Sequence, residues 1–388
     1  MLNPFAAGVR LSRAASVAAT FGLLAGSLVA GSLLAASSAH AQGAPAARPA
    51  PSQFARTWDE TLAAAKKEGK LVVAGPSGKL WQDLLETFRK DYPDIKIQVT
   101  SFAGRDFWPR AVKEREVGQY LWDIRVGGAE TQAFKLIESG GLAPVRDMYM
   151  SPEVADEANW YGGFNGMFLD YAKKYMPAFC AFDSPLVYTN EDFIKPGQIT
   201  TFTDIVKPEW KGKIAMADPR GGSTIVSMGA IYKVFGPDFI KKLIVDQKPV
   251  VTQNTRQLVQ WFAQGTYPIG MGMPTADVLR FQESGVNLKM GKVSGLDTWS
   301  AGVCGLQVLE PRPNPNATVV FVNWILSQAV QEKIMKATQL NSRRRGVPFG
   351  DPDRALDMEH IDKYMGTQTQ EFEEPMASAK ELIRNLMQ

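Results

Sequence analysis

Apolar residues recur along this chain with two alternating periods. Trp58, Leu62 and Ala65 share one helical face, and Gly69 closes the predicted helix. The run Lys70-Leu-Val-Val-Ala74 is short enough for a buried strand and ends at Gly75-Pro76-Ser77-Gly78. Leu80, Leu84, Leu85 and Phe88 return to helical spacing. Asp91-Tyr-Pro-Asp94 stops that helix, and Ile95, Ile97 and Val99 alternate as a strand. The rhythm repeats with helix over 111–116, strand over 122–126, a turn at Gly127-Gly128-Ala129 and helix over 131–138 before Gly140-Gly141. Strands separated by helices imply a mainly parallel sheet covered on both faces, with ligands at the carboxyl ends of its strands. The loops over 75–79, 101–106 and 127–131 are therefore candidate binding loops.

Beyond the run Phe179-Cys-Ala-Phe-Asp-Ser-Pro-Leu-Val-Tyr188, a second alternation begins. It has predicted strands at 213–217, 249–252 and 267–271, and helices at 223–235, 238–245, 255–264 and 275–283. Residues 299–309 read as a further strand, 317–335 as one amphipathic helix bearing Val320, Phe321, Trp324 and Ile325, and 368–387 as a charged helix. The fold class is α/β, in two sheet systems.

The first forty-one residues change the inventory. Arg10 and Arg13 precede an apolar stretch from Ala14 to Leu34, and Ala39-His40-Ala41 fits a small-x-small cleavage rule. A signal peptide over 1–41 and an Ala- and Pro-rich flexible leader over 42–56 are expected. Removal of 1–41 leaves 41 basic residues against 40 acidic ones and a single histidine, His360. That balance excludes the basic face that duplex nucleic acid requires, and one histidine excludes a multi-histidine metal site. Cys180 and Cys304 would lie in a compartment where disulfides persist. Nucleophilic catalysis lacks its parts: Ser77 has no G-x-S-x-G flanks, His360 is isolated, and Cys180 has no evident histidine partner.

Several segments resemble a known family. The opening Trp58-Asp-Glu-Thr-Leu-Ala-Ala-Ala-Lys-Lys-Glu-Gly-Lys-Leu-Val-Val-Ala74 is similar to the start of periplasmic solute-binding proteins of ABC importers, in the ferric-iron, thiamine and phosphonate branch. Pro185-Leu-Val-Tyr-Thr-Asn190 resembles its crossover strand, residues 205–217 its entry into the second lobe, and 314–333 its Ser-x-x-x-Gln-Glu helix. The resemblance implies a type II-like periplasmic-binding-protein fold. Lobe 1 would take 57–182 and 304–388, lobe 2 would take 183–303, and hinges would lie near 183–188 and 297–303. It also implies a monomer without cofactor that captures a small-molecule solute in the periplasm and passes it to permease and ATPase subunits; a receptor feeding a sensor is the other role. In this architecture the segments holding Cys180 and Cys304 run side by side, so a disulfide is expected; the alternative is two separate buried thiols.

Asp218-Pro-Arg-Gly-Gly-Ser-Thr224 follows a predicted strand and opens a helix. Free N–H groups at a helix start, two glycines and two hydroxyls suit a carboxylate, phosphonate or phosphate. The plainer reading is a turn whose Ser or Thr merely caps the helix. No Gly-Lys-Ser/Thr completes a P-loop here. The expected contacts are Ser77, Arg105 and Thr131 from lobe 1, Arg220, Gly222, Ser223 and Thr224 from lobe 2, and Tyr188 and Trp299 at the hinge. Trp81, Trp108, Trp160 and Tyr161 raise an aromatic box for a cation, but most read as core, and only Trp299 borders a crossover. In the iron-binding branch of the family, two neighbouring tyrosines, a histidine and a carboxylate hold Fe(III). This chain has no adjacent tyrosine pair and its remaining His360 lies beyond the candidate loops, which speaks against that ligand set; ferric iron, with Tyr188 and Asp or Glu residues as ligands, is kept as the alternative to an organic anion.

Overall fold

The computed structural model describes residue 55 and residues 57–388 apart from 103, 184, 287, 353 and 354. The expected signal peptide and all of the leader but residue 55 lie outside the described residues. The first helix, Trp58–Glu68, opens with a capping box between Thr57 and Glu60 and closes at Gly69, whose φ of 61° is a left-handed conformation that glycine adopts without strain.

Strands follow in the order β1 (Lys70–Pro76), β2 (Lys96–Phe102), β3 (Ile124–Gly127), β4 (Phe182–Asp183), β5 (Val187–Asn190) and β6 (Ile214–Ala217). Then come β7 (Val250–Thr252), β8 (Ile269–Met271), β9 (Met290–Lys292), β10 (Thr298–Ser300), β11 (Gly305–Val308) and β12 (Met365–Gly366). Lobe 1 is built on a sheet ordered β11-β3-β1-β2, parallel except for β11. Lobe 2 is built on a sheet ordered β7-β6-β8-β5-β9, in which β5 runs antiparallel to both neighbours.

Alternation along the strands sorts residues onto opposite faces. In lobe 1, Leu71, Val73, Ile124 and Val126 pack under the helix Pro315–Leu326, while Val72 and Ala74 join Phe107, Trp108 and Trp122. In lobe 2, Ile214 and Met216 meet Met228 and Ile231 of the helix Gly222–Phe235, and Ala215 and Ala217 meet Leu258, Val259 and Phe262.

A third sheet, β12-β10-β4, ties the lobes together. Two crossovers are expected from the sequence; the structure has three. Chain leaves lobe 1 through β4, returns through β10, and crosses again through β12, which pairs in parallel with β10. The expected hinge 183–188 is also divided: Asp183 belongs to the connecting sheet, whereas Tyr188 is already inside the lobe 2 sheet, opposite Gly270 and Lys292.

The third crossing corrects the expected partition at the carboxyl end. The helix Glu373–Leu386 lies on lobe 2, where Phe372, Ala379 and Ile383 share a core with Met228 and Ile231. Gly229 permits this approach, since a Cβ there would stand 3.0 Å from Met376 Cα and from the Phe372 ring. Gly229→Leu is expected to lower unfolding stability by about 1–3 kcal/mol through overpacking. An unchanged denaturation midpoint would mean that the tail helix does not hold this position.

Two expected elements are split. The strand over 299–309 becomes β10 and β11 in different sheets, because Gly302 at φ 53° turns the chain between them. The single helix over 317–335 becomes Pro315–Leu326 and Gln328–Thr338, broken at Ser327, whose ψ of 150° is extended. The first of these is buried all round, which removes the amphipathic face expected of it.

Cys180 and Cys304 form a disulfide with Cα atoms 5.6 Å apart. It joins the segment entering β4 to the segment leaving β10, at the base of lobe 1, where Phe179 N–H also donates to Cys304 O at 3.0 Å.

Candidate binding cleft

The loops that follow the strands of the two main sheets hold most of the candidate residues. After β1, Ser77 is exposed, Gly78 takes φ 105°, and the helix Lys79–Glu86 starts with no side-chain cap. After β2 the helix Gly104–Glu116 begins; the side chain of Arg105 lies outside the described residues. After β3, Gly127 to Glu130 lead into the helix Thr131–Glu138.

A buried arginine underlies these loops. Arg125 sits on β3 with 1% exposure, and its Nη1 donates to Gly75 O at 2.7 Å, tying the ends of β1 and β3. Its guanidinium lies 5.2 Å from the Phe107 ring, and burial pushes its pKa down to about 10. Gly127 is required beside it, because a Cβ there would meet Arg125 Nε at 2.6 Å. Burial holds the Glu130 carboxyl above its ordinary range; the Arg125 charge opposes that shift and Asp106 adds to it. Thr131 is exposed and its hydroxyl bonds to Glu373, at the start of the helix that lies on lobe 2.

In lobe 2, β6 runs into Asp218. Its carboxylate accepts from Arg220 Nε at 2.9 Å, Arg220 Nη2 at 2.6 Å and Gln253 Nε2 at 3.3 Å. The Arg220 guanidinium holds the Asp218 carboxyl well below the usual carboxylate range. Arg220, expected to face an anion, thus turns half-exposed onto its own loop. The helix Gly222–Phe235 follows Gly221 without a side-chain cap, so its first N–H groups are left to other partners. The hydroxyl readings of the cap separate: the Ser223 side chain lies outside the described residues, and Thr224 is buried at 1%, against Gly272.

The two contacts expected at the hinge, Tyr188 and Trp299, lie apart from these loops. Tyr188 packs on the core formed by Leu258 and Phe262. Trp299 is 6% exposed, has Arg343 5.1 Å from its ring, and lines a separate cavity to which no strand-end loop contributes. At the base of lobe 2, Lys292 of β9 bridges to Asp183 of β4 at 2.7 Å. Sequence reading passed over Arg125 and Glu130, although a charge inside the apolar run Ile124-Arg-Val126 was a signal. Among the described residues no cluster of three or more His, Cys, Asp and Glu side chains could hold a metal ion. His360 is exposed and pairs with Asp357.

Residues 83–348 match the family described as bacterial extracellular solute-binding protein. No curated protein matches the sequence. Among solved structures, iron-bound HitA from Pseudomonas aeruginosa superposes with a TM-score of 0.62 at 16% identity, covering 82% of this chain and 99% of that one. IdiA (FutA) from Trichodesmium, in complex with iron and citrate, gives 0.64 at 16% identity, with 82% and 99% covered. An ABC transporter structure from Clostridium perfringens ATCC 13124 gives 0.62 at 18% identity, with 82% and 100% covered. At such identities the likeness speaks for the fold, the two-lobe periplasmic-binding-protein arrangement.

Proposed function

This chain belongs to the bacterial extracellular solute-binding proteins, and from that premise we propose that it captures a small organic anion, phosphonate- or carboxylate-bearing, between its lobes. The protein serves an ABC importer: it acts as a monomer in the periplasm, after loss of residues 1–41, and hands the solute to the membrane permease and its ATPase. The family is one of binding proteins and not of enzymes.

The observation that carries the anion reading is the uncapped start of the helix Gly222–Phe235 behind a glycine pair. Unpaired N–H groups and the positive end of a helix dipole favour a negative group there. Ser77 and the Thr131 loop supply further polar contacts from lobe 1. Arg220 does not carry the reading, because Asp218 already neutralises it.

A thermal-shift panel of phosphonates and carboxylates tests the proposal. A solute present at about 100 times its dissociation constant adds about 2.7 kcal/mol of stability. Gly222→Pro then removes one N–H at a position where proline fits the first helical turn. That variant is expected to keep the wild-type melting temperature and to bind the panel's best anion about tenfold more weakly. Unaltered affinity would take the helix start out of the site.

Ferric iron is the second reading, favoured by the iron in the HitA and IdiA structures. Against it stand the lack of adjacent tyrosines and the position of His360. Stabilisation by ferric nitrilotriacetate, with a visible tyrosinate band and no response to the anions, would replace the first reading by the second.

A further inference from the structure

The cavity beside Trp299 is a second candidate site. It measures about 710 Å³ and is walled by lobe 1, by the connecting sheet, by Lys233 of the helix Gly222–Phe235, and by the segment 359–371. Its lining is divided by chemistry. Phe168, Trp299, Ile361 and Tyr364 supply apolar and aromatic surface. Lys173, Lys233 and Lys363 supply positive charge; Glu359, Asp362 and Glu371 supply negative charge, but Glu359 is committed to Arg345.

Arg343 lies against this cavity and tips the charge balance. It is 0% exposed, and neither its Nε nor its Nη1 has a hydrogen-bond partner. Nη2 donates to Tyr161 O at 3.2 Å. The guanidinium stands 5.1 Å from the Trp299 ring, and its Nη2 sits 3.3 Å and 3.6 Å from where a Cβ would be at Gly166 and Gly162. Trp299, Gly162 and Gly166 all line the cavity. Desolvation pushes the Arg343 pKa down to about 10, with no carboxylate offsetting it. A buried cation left without a counter-charge costs several kcal/mol, so an anion close by is favoured.

We propose that this cavity is a second ligand site, distinct from the strand-end loops, for a small amphipathic carboxylate: its apolar part lies on Trp299 and Phe168, and its acid faces Lys233, Lys363 and the field of Arg343. Its volume suits a small organic molecule rather than a bare ion. Because the walls come from both lobes and from the strands joining them, occupancy is coupled to the angle between the lobes.

Phenylacetate, 2-phenylethanol and phenethylamine share a ring and differ in charge, so they serve as probes in ligand-observed NMR titrations of the full chain. Phenylacetate is expected to bind about tenfold or more tightly than either analogue, the usual scale for a charged hydrogen bond. Lys233 and Lys363 are both exposed, so Lys233→Glu with Lys363→Glu leaves the core intact. This variant is expected to abolish the preference for phenylacetate while keeping the weak binding of 2-phenylethanol. Arg343→Met is expected to weaken phenylacetate likewise, and Gly222→Pro is expected to leave it unchanged. Equal affinity for the three probes, or a phenylacetate affinity lost in Gly222→Pro and retained in the lysine variant, would overturn the proposal; the second outcome would place the carboxylate in the main cleft.

Discussion

Replacing Cys180 and Cys304 together by alanine is expected to lower the free energy of unfolding by about 3–5 kcal/mol, the largest stability effect among the substitutions considered for this protein. The bridge closes a loop spanning 124 residues, which contains the whole of the lobe 2 sheet. Chain entropy for a loop of that size accounts for about 5 kcal/mol at most, and relaxation of the reduced chain lowers it. Both cysteines are fully buried, so the variant also exchanges sulfur for a small void. Urea denaturation of oxidised wild type against the double variant measures the difference. A loss under about 1 kcal/mol would show that the backbone pairing between Phe179 and Cys304 already fixes the two segments, and that the bridge adds little constraint.

Asp123→Ala is expected to cost about 3–4 kcal/mol at pH 7.5, on the scale for breaking a buried charged network. Asp123 is fully buried and accepts three short hydrogen bonds: from Val72 N–H at 2.7 Å, Asn314 N–H at 2.7 Å and Asn314 Nδ2 at 2.8 Å. It therefore joins β1 to the turn that starts the helix Pro315–Leu326. Removing it strands three buried donors. Its pKa is nonetheless raised to about 6, because desolvation outweighs those bonds and the nearby Arg312.

The sign of the resulting pH dependence follows from that shift. A carboxyl titrating near 6 in the folded chain and near 3.8 in the unfolded one binds its proton more tightly when folded. Its stabilising contribution is complete below about pH 4 and is lost as pH rises through about 6, by about 3 kcal/mol in all. Asp123→Asn removes that titration. The difference in stability between wild type and Asp123→Asn should therefore change between pH 4.5 and pH 7.5, with wild type losing ground. Parallel pH profiles would mean that the carboxyl titrates alike in both states.

The βαβ rhythm of both lobes was legible because their strands are buried runs and their helices carry one apolar face. What joins the lobes was less so. β12 is two residues long and β4 likewise, and such short strands leave no periodic trace in Met365-Gly366 or Phe182-Asp183. The tail helix was legible as a helix, but an amphipathic stripe does not say which core it covers. Trp299 was expected beside a crossover, and the direction of its ring depends on Arg343 and Gly366, both distant in sequence. Asp218 and Arg220 show the opposite limit: they stand two residues apart, and the local backbone alone brings them together. For Arg125 and Asp123, alternate charged positions in a buried strand marked something unusual without saying that one ties strand ends and the other pins a helix.

The order in which the chain is made bears on how these lobes are completed. The helix Trp58–Glu68 packs against Pro315–Leu326, and the lobe 2 core takes in Phe372, Ala379 and Ile383. Neither lobe is a contiguous stretch of polypeptide. A chain emerging amino end first cannot finish its first core before residue 347 is available, nor its second before residue 383. Until then Leu71, Val73, Ile214 and Met216 lack part of their cover, and the nascent molecule presents sticky sheet faces that chaperones would shield.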